Sequence, residues 1–246
     1  MVKTINDLMV EKRTNQKGGM IVELVGPAGV GKSTLYQALN KKRYPWLLCY
    51  YHPRVWRISS APFYIKNILL LLPTFVRISG NGDRHLTRRE IAFMAILHGW
   101  YKILRKKTTN SNKILVLDEG PISIMAYLNV WGPQSLFNSN MQGWWEYIFS
   151  QWMQSIDMVV MMDAPEEIIR WRINNRPQDH HLKGESAYVM DDWLKKYRIL
   201  YDQIVNRLAS NNHGIRVIRI DSGINSVDEI INKVLHEFGR EVNKID

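Results

Sequence analysis

The sequence predicts an α/β fold built on a five-stranded parallel sheet flanked by helices. Three observations carry this reading. Five short apolar runs are spaced along the 246 residues, stretches with helical periodicity lie between them, and the first run leads into a glycine-rich turn. The middle runs are continuously apolar instead of alternating, as strands covered on both faces of a parallel sheet are. Strands that alternate with helices are joined by right-handed crossovers, and such sheets bind ligands at the carboxyl ends of their strands.

Taken in order, residues 1–19 read as a polar N-terminal extension, with a short helix in "INDLMVEKR", and residues 20–246 as one domain. "MIVELV" (20–25) is the first strand and "STLYQALNKK" the helix after it. "WLLCYY" (46–51) is the second strand. "TRREIAFMAILHGWYKILRKK" has helical spacing and precedes the third strand, "KILVLD" (113–118). "DMVVMMD" (157–163) is the fourth. Its helix, "APEEIIRWRINNR", starts at Pro165, a favoured first position, with Glu166 and Glu167 at the positive end of the helix dipole. "IRVIRID" (215–221) completes the sheet and "SVDEIINKVLHEF" follows. The loops that begin near Gly26, His52, Glu119, Ala164 and Ser222 are therefore expected on one face. The most apolar run, "ILLLLPTFVRI" from Ile68, is too short and too interrupted to span a bilayer, so no transmembrane segment is expected.

Hydrophobic residues at 46% and charged residues at 23% describe a globular chain, not a disordered one. The formal net charge of +10 favours anionic partners: nucleotides, phosphorylated metabolites, nucleic acid or an acidic membrane surface. No motif with a defined nucleic-acid docking element is present, so nucleic acid is not the expected partner. One cysteine, Cys49, excludes an internal disulfide framework and suits a reducing cytoplasm. The N-terminal residues lack the continuous apolar stretch of a secretory signal.

The chemistry begins at "GPAGVGKST" (26–34), where Gly26, Gly31, Lys32 and Ser33 fit the pattern G-x-x-x-x-G-K-[ST] of the Walker A phosphate loop. These four positions match by chance in a chain of this length on the order of one time in a hundred, so the match is specific. Bare backbone lets amides wrap phosphate oxygens, and the helix that follows points its positive end at the same anion. Gly26, Ala28, Gly29, Val30, Gly31, Lys32, Ser33 and Thr34 are the candidate nucleotide-binding residues. Lys32, expected to be exposed, reaches the β- and γ-phosphates, and the Ser33 hydroxyl holds Mg²⁺.

Asp118 closes the third strand in the place of a Walker B aspartate, the second candidate for the Mg²⁺ shell. Glu119, one residue further into the cleft, is either a general base or the salt-bridge partner of a nearby arginine. Arg172 and Arg176 are four residues apart on a helix and are expected to project together. They read either as a clamp on a transferring phosphoryl group or as a solvated basic face. Trp131, Trp144, Trp145 and Trp152 can stack an acceptor ring or pack an inserted helical segment. His180 and His181 have no partner at metal-binding spacing and read as lid loop, so no metal other than magnesium is expected. Arg77, Arg84, Arg88 and Arg89 face either an acidic acceptor or water.

These motifs together resemble the thymidylate-kinase-like branch of the P-loop nucleotide kinases over most of residues 20–240. The phosphate loop matches best. "LDEGPISIMAYLN" is similar to the family's D-R-Y-x-x-S-x-x-A-Y segment, with Asp118, Ser123, Ala126 and Tyr127 in the matching places. "DAPEEIIRWRINNR" resembles the segment leading into the lid, where Arg172 and Arg176 fall on the lid arginines, and "IRIDSGINSVDEIINKV" resembles the last strand, adenine-side loop and final helix. The resemblance implies a P-loop NTPase fold with a lid at about residues 172–190, ATP and Mg²⁺ as cofactors, and phosphoryl transfer to a small acceptor.

There are departures. Glu119 stands where the family has an arginine that helps hold an acceptor phosphate. The D-R pair of thymidylate kinases is missing from "IAFMAILHGWYKIL", and "YHPRVW" matches the R-E-P-G loop only loosely. Arg54 and Tyr127 are the candidate acceptor contacts, with His52 a weaker one. A glutamate near this strand end resembles the nucleoside kinases, whose acceptor is a hydroxyl. The expected activity is transfer of the ATP γ-phosphate to a nucleotide or nucleoside. The alternatives are a sugar or other metabolite hydroxyl, and a P-loop ATPase or regulatory module without a small acceptor. A cytoplasmic enzyme is expected, with room for a homodimer.

Overall fold

A computed structural model describes residues 18–53, 58–79, 84–109, 111, 113–210 and 214–242, with side chains described to residue 238. The expected N-terminal extension and its short helix fall outside the described residues, apart from Gly18 and Gly19.

The chain runs β1 (Met20–Val25), α1 (Lys32–Lys42), β2 (Leu47–Tyr50), α2 (Ala61–Ser79), α3 (Arg88–Thr109), β3 (Ile114–Asp118), α4 (Pro121–Trp131), α5 (Gln142–Met153), β4 (Met158–Asp163), α6 (Glu166–Asn175), α7 (Ala187–Ala209), β5 (Arg216–Asp221) and α8 (Val227–Val242). All five strands are parallel, in the order β2-β3-β1-β4-β5. The five apolar runs read from the sequence are these strands to within a residue at each end. Alternate residues feed two cores. Met20, Val22 and Leu24 face α1, α6 and α8, while Ile21 and Val25 face α3, α4, α5 and α7.

β1 is central, with β3 on one side and β4 on the other, so the order reverses there. That is where a doubly wound sheet opens a crevice at its carboxyl edge. Glu23 breaks the apolar pattern of β1: it is fully buried, on the α4 side.

Three helices, α2, α4 and α7, were not among those read from the sequence. α2 is the clearest difference. Pro73 sits inside it without ending it, and the helical stretch Ile58–Ile78 is 21 residues long, enough by length and apolarity to cross a membrane. The expectation that Pro73 interrupts the run does not hold, while length and composition alone do not make the helix a membrane span. The proline removes one intrahelical hydrogen bond. Packing of Tyr64, Asn67, Leu71 and Ile78 holds the helix together, and Asn67 sits so close to Gly99 of α3 that a Cβ there would lie 2.2 Å from its side chain.

Candidate active site

The loop between β1 and α1 is shaped for backbone contact. Gly26 has φ 144°, and a Cβ on it would lie 2.1 Å from the Met162 carbonyl oxygen. Gly31 has φ 92° and caps α1, where no side chain caps the helix and no acidic residue occupies the first turn. The first amides of α1 are left for an anion. Lys32 is half-buried, not exposed as expected: its Nζ donates to the carbonyls of Gly26 (2.6 Å) and Pro27 (2.9 Å). Burial lowers its pKa, opposed by Asp118 and Glu119, whose charges raise it.

Asp118 ends β3 beside β1 and is 3% exposed. The Ser33 hydroxyl lies against its carboxylate, and burial raises its pKa while Lys32 lowers it. Its Oδ1 is buried with no hydrogen-bond partner. A buried carboxylate oxygen without a donor, next to a hydroxyl at the foot of a phosphate loop, fits Mg²⁺, which takes one or two protein oxygens and completes its shell from phosphate and water.

Glu119 is exposed and holds φ 56°, a left-handed conformation that costs a non-glycine residue free energy. Its amide donates to the Asp118 carboxylate, while its own carboxylate makes no ion pair or hydrogen bond among the described residues. Its charge acts on Lys32, Asp118 and Tyr201. The turn that presents it rests on Glu23. That carboxylate accepts the amides of Ile122 (3.0 Å) and Ser123 (3.0 Å) and the Ser123 hydroxyl (3.2 Å), so it caps α4 from inside the sheet. A Cβ on Gly120 would lie 2.6 Å from the same carboxylate, which is why the residue after Glu119 is glycine. Burial pushes Glu23 up to about 8, against the pull of those donors.

The two lid arginines do not project together. α6 starts at Glu166, with Pro165 as its cap, and ends at Asn175, so Arg176 is extended and outside the helix. Arg172 donates to the Gly29 carbonyl (3.4 Å), the Ser222 hydroxyl (3.1 Å) and the Ser222 carbonyl (2.8 Å). Ser222 in turn donates to the Val30 carbonyl (2.7 Å). Arg172 thus ties the phosphate loop to the loop after β5. Among the described residues the Arg176 guanidinium makes no such bonds, and its charge falls on Lys32 and His180.

The lid stems are anchored. Arg198 of α7 pairs with Asp163 (2.9 Å) and Glu166, and Arg170 pairs with Asp191. His180 and His181 lie edge-on to Trp193, and His181 also to Trp131. Burial, then the charges of His181, Arg176 and Lys32, holds His180 down to about 4. Among the described residues no cluster of three metal-ligating side chains occurs.

Aromatic rings gather around Tyr127. Tyr127 lies under the Arg89 guanidinium (4.4 Å) and edge-on to Phe93 (5.0 Å), and His52 is edge-on to Phe93 (6.3 Å). The Trp131 indole donates to the Tyr197 hydroxyl (3.0 Å). Trp144, Trp145 and Trp152 pack the inserted helices, whereas Trp131 stands exposed. Arg84 is spent on Glu90 (2.6 Å) and the Trp131 carbonyl. Arg54 lies outside the described residues. Glu23, Arg198 and the Ser222 contact were missed from sequence, and Arg89, read there as facing an acidic acceptor or water, lies instead over the Tyr127 and Phe93 rings. Only Glu23 announced itself, as one charge in an apolar strand.

A parallel sheet in this order, with a glycine-rich phosphate loop after its central strand and a buried aspartate ending the strand beside it, is the P-loop NTPase fold. Two solved structures share it. The YorR protein of Bacillus subtilis, in complex with phosphorylated GDP, matches with a TM-score of 0.50 and 17% identity, over 90% of this chain and 97% of that one. A deoxyadenosine kinase from M. mycoides, with dCMP and dCDP bound, matches with a TM-score of 0.51 and 15% identity, over 90% of this chain and all of that one. At such identities the likeness shows the fold alone. No family model and no curated protein matches the sequence.

Proposed function

We propose that this chain is an ATP- and Mg²⁺-dependent phosphotransferase that moves the γ-phosphate to a hydroxyl of a nucleoside or nucleotide. The observation that carries the reading is the grouping of Lys32, Ser33, Asp118 and Glu119 at one end of a phosphate loop, with the Asp118 Oδ1 lacking a donor. The nucleotides held by the two similar structures support a nucleotide-type ligand. The loop amides and Lys32 hold the triphosphate. Asp118 and Ser33 would hold the magnesium ion, which supplies charge neutralisation at the phosphates when bound.

Glu119 takes the proton of the acceptor hydroxyl as that oxygen bonds to the γ-phosphorus. The bond from the γ-phosphorus to the bridging oxygen breaks, and ADP leaves with the electron pair. Arg176, whose charge bears on Lys32, meets the charge on the transferring group. Arg172 keeps the loop in shape instead of clamping the phosphoryl group. The aromatic wall of Tyr127, Phe93 and Trp131 favours a ring-bearing acceptor over plain hydrolysis by an ATPase. A sugar would use the same wall.

The test is ATP turnover with nucleosides, nucleoside monophosphates and sugars. One acceptor should stimulate strongly and leave phosphorylated. Glu119→Gln should lower that rate by about a hundredfold, the range for loss of a general base, with ATP affinity little changed. Glu119→Arg should be as damaging. Acceptor-independent hydrolysis, or an active glutamine variant together with a tolerated arginine, would defeat this assignment.

A further inference from the structure

We propose that the exposed face of α2 docks on the surface of an anionic lipid bilayer. Ile65, Leu69, Leu72 and Val76 follow one another at spacings of four, three and four, so they form one stripe along the helix. They are 60%, 58%, 49% and 73% exposed. Leu70 beside them is 52% exposed, and Ile58, one turn before the helix, is 92% exposed. Together these side chains offer water roughly 600 Å² of apolar surface, the upper end of what a monomer normally exposes. Helix formation explains none of this exposure, because the opposite face already packs through Tyr64, Leu71 and Ile78.

The geometry and the charges choose the occupant. α2 cannot leave the domain easily to cross a bilayer. Its Asn67 is keyed against Gly99 of α3, and the Tyr64 hydroxyl donates to the carbonyl of Pro53 just after β2. A helix held along one side can lie on a membrane with its free side down. Lys66 and Arg77 are exposed at one edge of the stripe. Between Tyr51 and Gly82 the sequence carries Arg54, Arg57, Lys66 and Arg77 and neither Asp nor Glu, within a chain of net charge +10. A second copy meeting the first through α2 would bring like charges together with no acid in the segment to answer them. Anionic headgroups answer them, while the long cationic side chains reach past the apolar stripe to the lipid phosphates.

The test is flotation of the full chain with vesicles of phosphatidylcholine alone or with phosphatidylglycerol added. The protein should float with the anionic vesicles, and at least about tenfold less with the neutral ones, and salt should release it. Leu69→Glu with Val76→Glu should cut anionic binding by about tenfold or more while the circular dichroism is unchanged. Should that pair fail to fold, Lys66→Glu with Arg77→Glu tests the same edge from the polar side. Absence of anionic-vesicle binding overturns the proposal, and so does binding that neither pair weakens, which would trace to the basic surface at large. A dimer by light scattering that these substitutions split into monomers overturns it in favour of a second copy. The readouts do not involve catalysis, so they stand apart from the kinase assignment.

Discussion

At the scale of single residues, the buried Glu23 controls a site it does not enter. It holds the two amides and the hydroxyl that begin α4, two residues beyond Glu119. Glu23→Ala leaves three donors without their acceptor and should cost about 3 kcal/mol or more, which lowers the melting temperature by roughly 10 °C in a domain of this size. The pH dependence has a definite sign. Its folded pKa, raised from 4.5 to about 8, means the folded state binds the extra proton across that interval. Its contribution is complete below 4.5 and is lost as pH rises through about 8. Glu23→Gln, a neutral side chain of the same shape, should therefore resist alkaline destabilisation. Melting curves from pH 6 to 9 that keep the same gap between the two proteins would contradict the assigned shift. The sequence displays Glu23 as a charge in "MIVELV", but nothing local says that it faces α4 and dictates glycine at 120. That pairing spans about a hundred residues of chain.

At the scale of elements, α6 and the lid separate two arginines that helical spacing would place together. The helix stops at Asn175 because Arg176 turns extended before Pro177, as residues preceding proline tend to do. Arg176→Ala should therefore lower kcat by tenfold or more with little change in nucleotide affinity, whereas Arg172→Ala should mainly weaken nucleotide binding by loosening the tie between Gly29 and Ser222. Equal effects on both parameters in both variants would refute this division. The lid itself should respond to acid. His180, with Trp193 and His181 against it and the charges of Arg176 and Lys32 nearby, has its pKa depressed from 6.5 to about 4. The docked lid keeps the imidazole neutral, so the stability this gives is present above pH 6.5 and is lost as pH falls towards 4. Amide exchange across residues 177–186 should quicken between those values, and less so in His180→Asn.

At the scale of the whole molecule, the fold brings the loops after β1, β3, β4 and β5 to one edge, and a bound nucleotide would join them. Mg²⁺ with ATP should raise the melting temperature by mass action, and Lys32→Ala should remove most of that shift while leaving the free protein folded. No shift at millimolar nucleotide would argue against the site. By itself the sequence determined the five strands, the glycine-rich turn after the first of them, and Asp118 and Glu119 at the end of the third strand. These are local signals: an apolar run, a glycine spacing, a change of composition within ten residues. Only the tertiary structure decided the order β2-β3-β1-β4-β5, the role of Glu23, the parting of Arg172 from Arg176, and the seating of Arg89 over Tyr127. It also decided that α2 is a full helix with one apolar face left to water. The reason is the same in each case. Partners far apart in the chain settle these features, and a sequence read alone records what each residue can do, not which neighbour it meets.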